Sequence, residues 1–95
     1  MSAYIVFIRE ETTDQSKLDA YKTEVPPSFE GHDIKFLAAY GPHEVLEGAP
    51  IEGAVILGFE TMDAARAWYV SPAYQAAAKH RFEGANYRAF IIQGL

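Results

Sequence analysis

The sequence predicts an α+β domain in which four strands form one antiparallel sheet and two helices lie on one face of it. Four apolar runs rich in β-branched and aromatic residues are typical of strands, and two stretches with apolar residues at helical spacing lie between them. These helical stretches separate the first run from the second and the third from the fourth. This βαββαβ order is the ferredoxin-like arrangement, and with 95 residues we expect one domain over 1–95.

The first strand is predicted at 3–10, AYIVFIRE, where nearly every residue is apolar, as is typical of a strand buried on both faces. The next stretch, TTDQSKLDAYKTEVPP, starts with residues that cap helices and ends at two prolines that stop one. Within it, Leu18, Tyr21 and Val25 follow one another at helical spacing. Tyr21 is therefore expected on the inner side of the first helix.

The second strand is predicted at 34–40, IKFLAAY, because a Gly-Pro turn closes this apolar run. Residues 43–53 carry glycine, proline and acidic residues, which indicates a loop or a hairpin arm along the sheet edge. The run at 54–60, AVILGFE, is predicted as the third strand and is again apolar on both faces.

A second helix is predicted after Thr61, whose side chain can cap its first turn. Ser71 and Pro72 are expected to interrupt this helix and restart it, because serine is a good cap and proline fits the first helical position. Gly84 provides a stop, and the fourth strand is predicted at 86–95, NYRAFIIQGL.

The apolar pattern also predicts a homodimer. Two helices can cover one face of a four-stranded sheet, yet Ile5 and Phe7 alternate with the equally apolar Val6 and Ile8 on the first strand. The third and fourth strands are apolar on both faces in the same way. A large exposed apolar face is rare in a monomer, so we expect the sheets of two subunits to pack face to face.

Composition narrows the choice of partners. The chain carries 13 acidic and 8 basic residues, a formal net charge of -5, so it lacks the basic surface that nucleic acid binding needs. It has no cysteine, which excludes thiolate metal sites and cysteine nucleophiles. Its first apolar run is too short for a signal peptide or a membrane span, so we expect a cytoplasmic protein with no membrane partner.

The strongest candidate site lies on the second half of the second helix. Tyr74 and Arg81 share one face there, with only the small Ala77 and Ala78 between them. Arg81 can bind a carboxylate or an enolate, and Tyr74 can donate a proton or a hydrogen bond to the same group. Alternatively, the alanines allow close packing on the sheet, and Arg81 only complements the negative C-terminal end of the helix.

Four aromatic side chains are candidates for the substrate-binding wall of a pocket. Trp68 and Tyr69 come from the first half of the second helix, Tyr21 comes from the first helix, and Tyr40 ends the second strand. Each of them can instead be a core anchor, which is the commoner role of large aromatic residues at helical spacing.

Three further residues are candidates for proton transfer. His43 and His80 carry imidazoles that titrate near neutral pH, and Glu47 can place a carboxylate at the mouth of a pocket. A solvated imidazole and a turn carboxylate are the ordinary alternatives. His43 and Glu47 are about 13 Å apart if the chain is extended, so we predict no metal site. No glycine-rich phosphate loop or dinucleotide signature is present, and no cofactor is expected.

The stretch GFETMDAARAWYVSPAYQAAAKHR, residues 58–81, resembles the family of domains of unknown function 1330 (DUF1330), within the dimeric α+β barrel superfamily. The resemblance extends through YKTEVPPSF in the first helix, VLEG at 45–48 and the closing FIIQGL. It implies the dimeric α+β barrel fold. Superfamily relatives include muconolactone isomerases, cofactor-free quinone-forming monooxygenases, haem-dependent chlorite dismutases and stress-responsive proteins, so the fold does not select one chemistry.

Two functional hypotheses follow. In the first, the protein is a cofactor-independent acid/base enzyme of isomerase or lyase type that acts on a small anionic or aromatic molecule. In the second, it is a non-catalytic ligand-binding or stress-associated dimer whose aromatic residues form the core. The hypotheses differ in whether Tyr74 and Arg81 converge on a cavity that solvent can reach. Haem binding, as in some superfamily relatives, would require an imidazole directed into the pocket.

Overall fold

The computed structural model describes residues 2–95, and its strands form one antiparallel sheet in the order β2-β3-β1-β4. The elements in chain order are β1 (Ala3–Thr12), α1 (Gln15–Glu24), a short 3-10 turn (Pro26–Phe29), β2 (Lys35–Ala39), β3 (Gly53–Phe59), α2 (Met62–Tyr69), α3 (Pro72–Gly84) and β4 (Ala85–Gln93). The predicted ferredoxin-like order is confirmed, with the second helix divided into two pieces.

Side-chain caps define where the two pieces of the second helix begin. The Thr61 side chain caps α2 by accepting a hydrogen bond from a backbone N–H of its first turn. The Ser71 hydroxyl accepts one from the backbone N–H of Tyr74, and Pro72 takes the first position of α3. The predicted restart is therefore confirmed. Among the helices of residues 2–95, none combines the length and the apolar character needed to cross a bilayer.

The core lies on the side of the sheet that faces the helices. Ile5 and Phe7 on β1 and Leu57 on β3 are buried there, in agreement with the predicted alternation along these strands. Trp68 from α2 and Tyr74 from α3 complete the centre of the core, with ring centroids 4.1 Å apart. Apolar side chains from sheet and helices thus bury one another, which is the main stabilising term in a domain of this kind.

The opposite side of the sheet is apolar and open. Val6 on β1 pairs with Ile56 on β3 and with Phe90 on β4, so the three residues form a row across this side. Phe90 is 47% exposed, and Ile92, two residues further along β4, is 51% exposed. The helices of the same subunit therefore leave a wide apolar surface uncovered.

Residues 40–52 connect β2 to β3 without regular secondary structure. Of the two alternatives predicted for 43–53, the structure has the loop and not the hairpin arm, and the exposed Leu46 extends from this loop. Tyr40 begins the loop with a φ of 57°, a left-handed conformation that residues other than glycine rarely adopt. This conformation ends β2 and redirects the chain at the edge of the sheet.

Candidate functional site

A cavity of about 130 Å³ lies between the helix-facing side of the sheet and the helices that cover it. Most of its lining is aromatic, and the remainder is aliphatic apart from one guanidinium group. The lining residues are Phe7, Tyr21, Val25, Phe29, Phe36, Ala39, Tyr40, Val55, Leu57, Trp68, Arg81 and Tyr87. We call this space the Arg81 cavity.

Arg81 is the charged residue among the described lining residues, and it is 4% exposed. Its Cζ lies 5.1 Å from the ring centroid of Phe7 and 4.9 Å from those of Phe82 and Tyr87. Within residues 2–95, no carboxylate forms an ion pair with it, and its Nε is buried without a hydrogen-bond partner. A buried charge that lacks a counter-ion is costly, so this arrangement favours the entry of an anion.

The hydroxyls of Tyr21 and Tyr74 lie 3.0 Å apart near this guanidinium. Burial raises the pKa of both phenols above the ordinary tyrosine value, although the positive charge of Arg81 acts in the opposite direction. Burial alone would lower the pKa of Arg81, but the negative charge that Tyr74 and Tyr21 acquire when they ionise, together with the hydrogen bond to Tyr74, outweighs burial and raises that pKa. Both phenols therefore stay protonated and the guanidinium stays charged near neutral pH.

The hydrogen bond between the two hydroxyls leaves one proton for a ligand. Each phenol has a single proton to donate, and the bond between Tyr21 and Tyr74 uses only one of the two. Tyr74 is fully buried, whereas Tyr21 lines the Arg81 cavity. When Tyr74 donates to Tyr21, the Tyr21 hydroxyl can donate into the cavity beside Arg81.

A second tyrosine pair stands on the same side of the sheet, since the hydroxyls of Tyr40 and Tyr87 lie 2.5 Å apart. Burial and then the hydrogen bond with Tyr87 raise the pKa of Tyr40. The Arg9 guanidinium lies 4.7 Å from the ring centroid of Tyr40, and its Nε is 3.1 Å from Oε1 of Glu52. Arg9 thus has a nearby counter-charge, in contrast to Arg81.

A wider depression of about 460 Å³ adjoins the Arg81 cavity. The two spaces share Tyr21, Val25, Tyr40 and Tyr87, so the second tyrosine pair stands at their boundary. Arg9 and residues of α1 line the remainder of this wider depression, which we call the vestibule. The vestibule therefore lies directly beside the Arg81 cavity.

The indole of Trp68 is held in the cavity wall by Ser28. Its Nε1 donates a hydrogen bond to Oγ of Ser28 over 3.2 Å, and that hydroxyl donates to the backbone oxygen of Val25 over 2.6 Å. Phe29, the neighbour of Ser28, stacks against Trp68 with 6.0 Å between ring centroids. The 3-10 turn is thereby linked to α2 at the cavity wall.

Five of the nine residues proposed from the sequence meet at this site. Tyr74 lies behind the wall, where its hydroxyl bonds to that of Tyr21. Tyr69 is half-buried with its ring centroid 5.3 Å from that of Tyr74, and it does not line the cavity. The sequence-predicted residues that line the Arg81 cavity are Tyr21, Tyr40, Trp68 and Arg81.

The three candidates for proton transfer lie elsewhere in the subunit. His80 is directed from α3 toward α1, with its Nε2 2.6 Å from Oε2 of Glu24. Nε2 of His43 is 3.1 Å from the backbone oxygen of Ile51, and Glu47 is exposed in the same loop. No imidazole or carboxylate of residues 2–95 lines the Arg81 cavity, so the imidazole that haem ligation would require is not at this wall.

Within residues 2–95, no group of three or more histidine, aspartate and glutamate side chains is placed to hold a metal ion.

The lining and boundary residues that were not candidates in the sequence include Tyr87, Arg9, Phe29 and Phe36. The two-residue alternation along β1 and β4 was a usable signal for Arg9 and Tyr87, since it places both on the helix-facing side. The contact between Tyr87 and Tyr40 had no such signal, because β2 and β4 are opposite edges of the sheet.

The chain belongs to the DUF1330 family, because the model of this domain of unknown function matches residues 2–95. The resemblance noted in the sequence is thus confirmed. No curated protein matches the chain.

Solved structures share the fold at low sequence identity. RPA0582, a protein of unknown function from Rhodopseudomonas palustris, has a TM-score of 0.75 at 19% identity, over 99% of this chain and 82% of that one. A dimeric ferredoxin-like protein of unknown function from Thermobifida fusca gives 0.66 at 15%, over 99% and 92%. SnoaB, a cofactor-independent oxygenase from Streptomyces nogalater, gives 0.63 at 9%, over 99% and 93%. These similarities establish the ferredoxin-like fold.

Proposed function

We propose that this DUF1330 protein is a homodimer that binds a small anionic or aromatic molecule in the Arg81 cavity and carries out cofactor-independent acid/base chemistry on it, of isomerase or lyase type. The observation that carries the proposal is Arg81 itself. A guanidinium that is 4% exposed and has no ion pair in residues 2–95 lines an otherwise apolar cavity. Such a group binds an anion more strongly than it would in water, because the surroundings screen its charge poorly.

Support for the homodimer comes from the open side of the sheet. Leu37, Phe90 and Ile92 are exposed by 53%, 47% and 51% in the single subunit. A second copy that packed its own sheet against this side would remove these apolar groups from water. The related structure from Thermobifida fusca is described as dimeric, which favours the same assembly here.

The proposed chemistry depends on hydrogen-bond donors placed around a substrate oxygen that becomes negatively charged. Removal of a proton next to a carbonyl group produces an enolate, whose oxygen carries the charge. Arg81 provides the positive charge for that oxygen, and Tyr21 provides a neutral O–H donor that Tyr74 orients. Trp68 and Tyr40 form the wall for the apolar part of the substrate, and Tyr69 supports the ring of Tyr74 from behind.

The general base for this chemistry comes from outside the described lining of the Arg81 cavity, which has no carboxylate and no imidazole. Burial holds the pKa of Tyr21 and of Tyr74 above the ordinary value, so neither phenol is a base near neutral pH. His43 and Glu47 stand on the exposed loop, from which they would have to act on the cavity of a second subunit. His80 would first have to leave Glu24. All three stay candidates for proton transfer in the assembled dimer.

A second candidate function is binding without catalysis. The observation that favours it is the cavity lining, which in residues 2–95 contains no carboxylate and no imidazole. A ligand-binding or stress-associated dimer would need Arg81 and the aromatic wall but no group that removes a proton.

Proton exchange distinguishes the two functions. We would incubate the protein in heavy water with small keto acids and aryl-substituted carboxylates that carry exchangeable C–H groups, and follow those protons by NMR. Enzymatic function predicts faster exchange with the wild type, loss with Arg81→Met, and wild-type rates with the surface variant Arg66→Met. Binding with no faster exchange would support the non-catalytic function, and absence of binding would reject both.

A further inference from the structure

We infer that the ligand of the Arg81 cavity is a planar monocarboxylate with a single aromatic ring, of about the size of benzoate. This inference rests on the proposed binding function and names its ligand class. The carboxylate pairs with Arg81, and the ring fills the apolar part of the cavity, which Trp68 and Phe36 help to line.

The single positive charge of the Arg81 cavity favours a ligand with a single negative charge. Arg81 is the sole cation among the described lining residues, and Arg9, at the boundary with the vestibule, already has Glu52 beside it. A monoanion therefore neutralises the cavity. A dianion would leave one charge without a partner among apolar walls, which is strongly unfavourable.

The surroundings of the guanidinium select a planar acid group. Phe7, Phe82 and Tyr87 each approach Cζ of Arg81 to about 5 Å, so the space next to this cation is narrow. A carboxylate is flat and accepts two parallel N–H bonds in the plane of a guanidinium. A tetrahedral phosphonate or phosphate has oxygens outside that plane, which would meet the rings. The Tyr21 hydroxyl can donate a further hydrogen bond to the same carboxylate.

The size and the walls of the cavity select one aromatic ring. Its volume is about 130 Å³. An engineered apolar cavity of about 150 Å³ binds benzene, so a cavity of this size suits one aromatic ring and not two. Phe29 stacks on Trp68 and meets Phe36 edge to face, with 5.0 Å between the centroids of the two phenylalanines. Aromatic walls favour an aromatic ligand through the same edge and stacking contacts.

The chain carries its own probe of this cavity, because Trp68 is its one tryptophan and lines the wall. Five ligands would be titrated into the dimeric wild type, with Trp68 fluorescence and calorimetry as readouts. They are benzoate, cyclohexanecarboxylate, phenylphosphonate, phthalate and benzyl alcohol. We expect benzoate to change the Trp68 emission and to bind at least tenfold more tightly than each of the other four.

Variants locate the binding site. Arg81→Met is expected to abolish benzoate binding, and Arg81→Lys to weaken it at least tenfold, because lysine keeps the charge but loses the two parallel N–H bonds. Arg66 is an exposed arginine on α2 that pairs with Asp63, and Arg66→Met should bind benzoate as the wild type does. If Arg81→Met does not fold, the ligand ranking and the Trp68 response of the wild type still decide the matter.

The outcomes separate this inference from the proposed function. Tighter binding of phenylphosphonate or phthalate would overturn the monocarboxylate and leave a small-anion site in place. Equal affinity for cyclohexanecarboxylate would overturn the aromatic ring, and equal affinity for benzyl alcohol would overturn the role of charge. Benzoate binding that leaves the Trp68 emission unchanged, or that survives Arg81→Met, would move the site away from this cavity. Failure of all anions to bind would reject the proposed function as well.

Discussion

The hydroxyls of Tyr40 and Tyr87 lie 2.5 Å apart, although Tyr40 follows one edge strand of the sheet and Tyr87 belongs to the other. Gly53 on β3 makes this contact possible, because a Cβ at that position would lie 2.7 Å from Cδ1 of Tyr40. The Tyr40 ring therefore packs against Gly53, at a place where the Cβ of any other residue would push it away. Arg9, the partner of Gly53 in the strand register, packs on the same ring.

The substitution Gly53→Ala should displace Tyr40 and separate the two hydroxyls. We expect a loss of about 1–3 kcal/mol in the free energy of unfolding, as is usual when an extra methyl group enters a packed site. Urea unfolding measures it. Gly41→Ala is the matched control, because a Cβ at Gly41 meets no atom within 4 Å. Equal stability of the two variants would show that Tyr40 does not depend on the space at Gly53.

Replacement of Arg81 by methionine should abolish ligand binding without lowering the stability of the fold. Since Arg81 is buried without an ion pair in residues 2–95, an apolar side chain of similar length is expected to leave the ligand-free protein as stable as the wild type or up to about 3 kcal/mol more stable. Chemical unfolding in a buffer without small carboxylates measures the difference. A loss of stability greater than about 1 kcal/mol would mean that the ring contacts of Arg81 outweigh the cost of burying its charge.

The tyrosines should make the fold sensitive to alkali. Burial raises the pKa of Tyr21 and Tyr74 above 10, so as pH increases the unfolded chain loses these protons before the folded protein does. Their contribution to the free energy of unfolding is complete below about pH 10 and declines above it. For the fully buried Tyr74 the decline is up to about 1.4 kcal/mol per pH unit.

Urea unfolding between about pH 8 and 12, followed together with tyrosinate absorbance, measures this effect. The free energy of unfolding should decline less steeply with pH in Tyr74→Phe, which has no phenol to titrate at that position. Ionisation of all tyrosines near pH 10 in a protein that remains folded and equally stable would contradict the prediction.

The open side of the sheet should control assembly. Ile92→Asp places a charge among its apolar side chains, so we expect this variant to sediment as a monomer while the wild type sediments as a dimer. Val70→Asp is the control, because Val70 is 61% exposed and lies at the C-terminal end of α2 instead of on the sheet. A wild-type monomer, or equal sedimentation of wild type and Ile92→Asp, would reject packing through this side.

The predictable part of the structure depends on neighbours in the sequence. Ser71 and Pro72 predicted the break between α2 and α3, because capping by serine and proline at the first helical position are local effects. Helical spacing brought Tyr74 and Arg81 to one face. The same spacing places His80, which adjoins Arg81 in sequence, about 100° away around the helix, where its side chain meets Glu24.

The remaining features required knowledge of distant contacts. The position of Tyr40 over Gly53 depends on the left-handed backbone at Tyr40 and on the strand order, and neither has a local signature. The absence of an ion pair at Arg81 in residues 2–95 likewise depends on where thirteen acidic residues lie in space, since the sequence offers more than enough of them.

The hydrogen bond from Trp68 to Ser28 has a consequence for motion. The buried indole N–H can exchange with solvent when its hydrogen bond to Ser28 opens. The exchange rate of this one proton therefore measures how often the contact between Trp68 and Ser28 in the cavity wall opens. A ligand that packs against the indole would slow this exchange. NMR can measure the exchange rate from the single indole N–H resonance of the protein.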